Sequence, residues 1–257
     1  MLKNPYGMMK IKLRLFAVIL GFYSIFGLTA QNRITDENQI LWAPVIISTK
    51  INEKVALYTE YQWRRNNLGE TWQQSLLRLG LTYNANKTTA FQAGYGWILT
   101  YPYGDYPLAP NGTFTEHRIY QQALFKVPLN AVGTTLISRI RLEQRWLAVL
   151  NTDKSLNHWN YLNRVRIMQR LNFPFKVSGK DCYASLMDEV FIGFGRNVGQ
   201  NVFDQNRLYG LLGWNVNEKV QLELGVLSQI LQQGKLVTAK PVFQYNSGPV
   251  FGLNLKL

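Results

Sequence analysis

Few residue types in this chain can do chemistry: two histidines (His117, His158), one cysteine (Cys182) and an insistent alternation of arginine with glutamate. A histidine serves as a general base for a serine nucleophile only when the hydroxyl lies within about 3 Å. His117 shares its phase with Ile119, Ala123 and Phe125, but the in-phase Ser138 falls opposite residue 123 or so on the neighbouring segment. That is roughly 20 Å away at about 3.4 Å per extended residue. Neither histidine begins an H-x-S or H-S pair, so His117 stands as a weak catalytic candidate whose partner would have to come from a distant segment. Two histidines and one cysteine provide no ligand spacing of the H-E-x-x-H or multi-cysteine type, so no metal and no cofactor is expected. No glycine-rich phosphate loop sits between a strand and a helix.

The charged alternation is the stronger signal. Arg139, Arg141, Glu143 and Arg145 alternate with Ser138, Ile140, Leu142, Gln144 and Trp146, giving one ionic and one largely apolar face. The same phase recurs where Arg164, Arg166 and Arg170 alternate with Val165, Ile167 and Leu171, and where Glu60, Gln62 and Arg64 alternate with Tyr61 and Trp63. A period of two is that of a strand. Arginine suits such a face because its planar fork binds carboxylates through two hydrogen bonds and stays charged.

The elements that carry these faces are strands of about 9–14 residues. They are expected at 40–50, 55–65, 72–83, 88–101, 115–127, 134–149, 158–171, 183–194, 206–216, 219–230 and in a terminal region 236–257. Tight turns (Asn52-Glu53, Asn84 to Lys87, Pro128 to Gly133, Asn217-Glu218) alternate with longer loops at 66–71, 102–114, 151–157 and 195–205, the arrangement of an outer-membrane barrel with two unlike rims. The 172–182 connection is long for its rim. An antiparallel barrel with both termini on one side needs an even number of strands, whereas these segments number eleven, or twelve if Asn246-Ser247-Gly248 is a turn that splits the terminal region.

The chain has 257 residues, a formal charge of +13 and only 17% charged residues, which excludes most disordered classes. Residues 1–30 hold a basic stretch (Lys3, Lys10, Lys12, Arg14), an apolar run from Leu13 to Leu28 and a small-residue exit at Thr29-Ala30. This reads as a secretory signal peptide cleaved after Ala30, with an uncleaved anchor as the alternative. No cysteine lies near the cleavage point, which argues against a lipoprotein. Residues 31–257 then form one barrel domain. Removing the four basic residues lowers the formal charge from +13 to +9. What remains is spread along separate strands, so nucleic-acid binding explains it poorly.

Period alone does not say whether the apolar face points inward, as in a soluble barrel, or toward lipid. The signal peptide favours lipid, as do the tryptophans. Trp42, Trp63, Trp72, Trp97, Trp146, Trp159 and Trp214 all fall near strand ends, where an interfacial girdle is expected. The ionic face then lines the lumen. A hairpin about Pro128 to Gly133 sets Glu116 opposite Arg145 and Arg118 opposite Glu143, and the next hairpin brings Arg166 beside Glu143. The expected lumen network comprises Glu60, Arg64, Arg78, Glu116, Arg118, Arg139, Arg141, Glu143, Arg145, Arg164, Arg166, Glu189, Arg207 and Glu223. Either it is a salt-bridge plug or it lines a path for small anionic solutes.

The segments W-R-R-N-N (63–67), W-Q-Q-S-L-L-R-L-G-L-T-Y (72–83), T-E-H-R-I-Y-Q-Q (115–122), R-I-R-L-E-Q-R-W (139–146), N-R-V-R (163–166) and D-Q-N-R-L-Y-G (204–210) carry a resemblance over nearly the whole mature chain. They resemble the uncharacterised outer-membrane β-barrel proteins of Gram-negative bacteria grouped as domain of unknown function 2490. The resemblance implies a single outer-membrane barrel and no activity. The expectation is an all-β, single antiparallel transmembrane barrel of about 12 strands (range 10–14), monomeric or a small oligomer. Its partners would be outer-membrane lipids, the barrel-assembly machinery during insertion, and small anionic solutes. The alternatives are a lipid-active hydrolase using His117 and a surface-binding barrel acting through loops such as the tyrosine- and proline-rich 101–107.

Overall fold

A computed structural model describes residues 33–129 and 133–257; the expected leader lies outside the described residues. The described residues form eleven strands: β1 (Ile34–Lys50), β2 (Val55–Asn66), β3 (Thr71–Asn84), β4 (Thr89–Thr100), β5 (Phe114–Pro128), β6 (Thr135–Leu150), β7 (Leu156–Val177), β8 (Lys180–Phe194), β9 (Phe203–Asn215), β10 (Val220–Val237) and β11 (Lys240–Lys256). Each pairs antiparallel with the next, and β1 pairs in parallel with β11, closing the sheet. Closure leaves no free edge.

Eleven strands fall within the expected range of 10–14, and of the two counts the segments allowed it is the odd one that forms. Residues 246–248 are not a turn: β11 runs through them, Asn246 pairing with Gln229 on one side and with Asn38 on the other. With an odd count the first strand starts on the rim opposite the one where the last ends, and parallel pairing of β1 with β11 follows. Two other connections are tighter than expected. Ser178-Gly179 and Thr238-Ala239 are two-residue turns with both φ values positive (50° and 77°; 48° and 62°), the conformation that matches the twist of a hairpin. They lengthen β7, β8 and β10 into what read as loops. On the short-turn rim, Asn52, Asn86 and Asn217 each accept a 2.9 Å hydrogen bond from the backbone N–H two residues on, fixing three turns by the same side-chain device.

Side chains alternate between the two walls except at the bulges in the β2–β3 and β8–β9 ladders. Outside, Leu81, Phe91, Ile140, Leu212, Leu224 and Val226 exemplify a continuous belt of exposed large apolar residues. Inside, most of the charges stand on the arc β2–β8, with Asp36, Asp204, Arg207 and Glu223 on β1, β9 and β10, which with β11 also contribute an apolar cluster of Ile40, Trp42, Tyr209, Leu211, Leu227 and Val250. Close packing inside depends on glycine at one wall position in particular. Tyr183 lies flat across Gly213, directly opposite it on the neighbouring strand, and a Cβ at 213 would sit 1.9 Å from the tyrosine ring.

Candidate functional site in the charged barrel interior

Every residue of the expected lumen network lies on the inward phase of its strand, and most are almost fully buried; Glu143 is 0% exposed and Arg141 1%. Glu143 is the hub. Its Oε2 accepts from Arg164 Nε at 2.9 Å, its Oε1 accepts from Arg166 Nη1 at 2.7 Å, and Arg141 Nη1 stands 3.7 Å away. Arg166 continues to Glu189 with two bonds of 2.9 Å, and Arg139 reaches the same carboxylate. Glu60 accepts from Arg78 at 2.7 Å and from the Tyr58 hydroxyl at 2.8 Å. Near the short-turn rim, Glu223 accepts from Arg170 and from the Tyr183 hydroxyl. The result is a charge-assisted mesh across the arc from β2 to β8.

The register of the β5–β6 hairpin is two residues from the expected one. Arg118 faces Arg145 and Tyr120 faces Glu143. A shift of two preserves the face, so the inward set is unchanged while the partners are redistributed. Glu116 serves both guanidinium groups: Arg118 grips it from the same strand through Nε and Nη2, and Arg145 reaches it diagonally, Nε to Oε1 at 2.6 Å. Arg118 therefore pairs with Glu116 and not with Glu143. The β6–β7 register sets Glu143 opposite Arg164, with Arg166 one inward position away, and both arginines bind it.

Two expected members have no carboxylate. Arg64 donates Nε to Gln62 at 2.8 Å and Nη1 to Gln74 at 2.6 Å, while Arg207 donates Nε to Gln205 at 2.9 Å; among the described residues neither makes an ion pair. Their guanidinium carbons lie 3.8 Å (Arg64) and 4.8 Å (Arg207) from the centroid of the Trp42 ring. Trp42 is consequently not an interfacial residue. It points inward, 3% exposed, with its Nε1 donating to Gln73 at 2.6 Å. The other six tryptophans occupy the outer wall. Trp63, Trp72, Trp97, Trp146 and Trp159 stand on the half toward the long-loop rim and Trp214 near the short-turn rim.

Sequence reasoning missed Asp204, Gln73 and Asp36. Asp204 pairs with Arg164, and it points inward because a bulge in the β8–β9 ladder leaves Gln205 and Phe203 opposite consecutive residues of β8. A second bulge, in the β2–β3 ladder, frees Gln73 to turn inward beside Trp42. Both devices re-aim a side chain against the alternation. Asp36 accepts from the backbone N–H of Tyr106 at 3.2 Å and from Gln244 Nε2 at 2.9 Å, drawing the 101–113 loop into the mouth. Tyr103, on that loop, is buried, and its hydroxyl donates to Gln244 at 3.1 Å. Gly104 has φ +74°, and a Cβ there would meet Asp36 Oδ2 at 2.5 Å.

Between this loop and the ion pairs lies a cavity of about 360 Å³, open at the long-loop rim. Its floor includes Trp42, Arg64, Glu116, Arg145, Arg164 and Arg207. One inward position further up four of the strands the character changes: Phe114 lies above Glu116, Leu147 above Arg145, Leu162 above Arg164 and Leu231 above Gln229, whereas Gln205 stands above Arg207.

His117 lies on the outer wall. Tyr95 hydroxyl bonds its Nδ1, and its ring sits 5.0 Å from that of Trp159. Ser138, opposite Phe125, donates instead to Gln169 at 2.7 Å. His158 is exposed, with Nδ1 3.2 Å from Asn157 Oδ1, and Cys182 is a free thiol. Among the described residues no group of three or more His, Cys, Asp or Glu is arranged to hold a metal ion.

The fold and its interior define a closed, single-sheet β-barrel with an apolar outer wall and an ion-paired inside. The family described as "Protein of unknown function (DUF2490)" matches residues 39–238, and the chain belongs to that family. No curated protein and no solved structure gives a match.

Proposed function

We propose that this is an outer-membrane barrel whose lumen is closed by its own ion pairs, and that it works as a structural or surface-binding barrel through its long-loop rim. The exposed apolar belt supports the membrane setting. A contiguous apolar surface larger than a few hundred Å² is rare on soluble monomers, and here it surrounds the sheet while the charges are inside, the inverse of a soluble barrel.

The observation that carries the closed lumen is the burial of Arg141 and Glu143 at 1% and 0% exposure. Charges that line a water-filled path retain accessible surface, whereas these guanidinium and carboxylate groups meet only one another and the amides and tyrosines around them. The His117 Nδ1 is bonded to the Tyr95 hydroxyl and Ser138 is bonded to Gln169, which weighs against a serine-dependent lipid hydrolase.

The test is single-channel recording on refolded protein in a planar bilayer. Folded, inserted protein is expected to carry no steady current. A steady anion-selective current that changes in Arg141→Ala/Arg166→Ala protein would overturn the closed-lumen reading and make the barrel a narrow anion pore. Recovery of the native protein in the periplasmic fraction without detergent would overturn the membrane assignment.

A further inference from the structure

We propose that the vestibule at the long-loop rim binds an amphipathic carboxylate, its anionic head between Arg64 and Arg207 and its hydrocarbon body against the collar above. The inference rests on the closed-lumen reading, which gives the vestibule a floor.

The first observation is charge left over after pairing. Of the cations on the floor, Arg118 and Arg145 share the Glu116 carboxylate, and Arg164 pairs with Asp204. Asp204 is further engaged by the amides of Asn201 (3.0 Å) and Gln205 (3.2 Å). Arg64 and Arg207 have glutamine oxygens and aromatic faces as partners, the shared Trp42 indole for both and the Phe191 ring at 4.6 Å for Arg207, and no carboxylate within ion-pair distance, although they are 2% and 7% exposed. Burying a cation without an anion is costly, and two of them within 5 Å of one ring centroid also repel. The Trp42 π-face offsets part of that cost, and an anion settling between them removes the rest. A carboxylate or phosphate oxygen is the group whose geometry the guanidinium fork accepts.

The second observation is independent of charge. The step from Glu116, Arg145, Arg164 and Gln229 to Phe114, Leu147, Leu162 and Leu231 occurs on four strands at once, so on that side of the cavity an ionic floor is topped by an apolar collar. A free inorganic anion has no use for that collar, and a purely apolar guest none for the arginines. The volume of about 360 Å³ lies at the small end of the range for small-molecule sites, about 300–1,000 Å³. That selects a medium-chain monocarboxylate over a two-chain lipid, entering from the loop side.

The experiment is calorimetric titration of the full mature protein in phosphatidylcholine vesicles with sodium octanoate, against protein-free vesicles. Two comparison probes separate head from tail: 1-octanol, which lacks the charge, and inorganic phosphate, which lacks the chain. Saturable octanoate binding is expected, at least about tenfold tighter than either comparison probe. Arg64→Gln and Arg207→Gln, each verified as folded by heat-modifiable migration, are expected to weaken octanoate by about tenfold or more, as loss of a charge-assisted partner does. Octanol binding as tightly as octanoate, phosphate binding as tightly, indifference to both substitutions, or no saturable heat would each overturn the proposal, and the wild-type probes decide even if a variant fails to fold. A conducting barrel that binds octanoate overturns only the closed lumen; a silent barrel that does not bind it overturns only this site.

Discussion

Replacing Glu143 by Gln removes the hub of the mesh while keeping its shape, so its cost follows from which arginines are stranded. Arg164 retains Asp204, and Arg166 retains both oxygens of Glu189. Arg141 retains no carboxylate, only the Gln122 oxygen at 2.7 Å and the Tyr120 ring at 4.7 Å, and its Nη1 has no hydrogen-bond partner even in the intact protein. Breaking a buried pair from one side costs about 3–5 kcal/mol, and with one of three arginines stranded the lower end, about 3 kcal/mol, is expected. Urea unfolding of the refolded protein in lipid vesicles, followed by tryptophan fluorescence, measures this as a lowered midpoint at unchanged slope. Asp181→Asn, which breaks the exposed Lys176–Asp181 pair, serves as the control and is expected to cost less than about 0.5 kcal/mol. In an Arg141→Leu background the Glu143→Gln cost is expected to fall by at least about 1 kcal/mol, since the stranded charge is gone. A single-variant loss below about 1 kcal/mol, or the same loss in both backgrounds, would refute the view that buried charge pairing holds the interior closed.

Gly104→Ala places a side chain at φ +74° and a Cβ against Asp36, so the 101–113 loop is expected to leave the mouth; proteinase K applied to sealed vesicles should then cut within the loop at least about tenfold faster, and wild-type resistance would count against the docked loop. His117→Ala removes an outer-wall ring contact and a hydrogen bond to Tyr95, and fatty-acid release from phospholipid micelles is expected to be the same in variant and wild type; a loss of hydrolysis in the variant would revive the enzyme reading.

The face of each strand was legible in the sequence because a two-residue period survives any error in strand length. Arg139, Arg141, Glu143 and Arg145 announce an inward ionic face whatever they oppose. Register was not legible beyond its parity: pairing Glu116 with Arg145 or with Leu147 puts the same residues inside, and only the connection between β5 and β6 decides between them. Partner assignment failed accordingly for Arg118 and succeeded for Arg166, whose long side chain reaches Glu143 from a diagonal position. Strand ends at 178–179 and 238–239 were hidden because neither Ser-Gly nor Thr-Ala is the Asn-Gly or Asp-Gly signal of a type I′ turn.

The vestibule was illegible for a different reason, since it is built where the alternation fails. Gln73 and Asp204 enter the interior through bulges, and Trp42, placed by its apparent strand-end position among the interfacial rings, shares the inward phase of Ile40 in the middle of a strand that begins six residues earlier than its apolar pattern suggests. These exceptions converge at one level of the barrel. Gln73 holds the Trp42 indole, Trp42 receives Arg64 and Arg207, and Asp204 takes Arg164, which leaves those two arginines as the unmatched pair. Breaks in a regular pattern concentrate where backbone is bent to aim particular side chains. Their convergence on an unpaired cationic pair beneath an apolar collar therefore argues that the loop-side mouth, more than the sealed middle, is where this barrel meets its ligand.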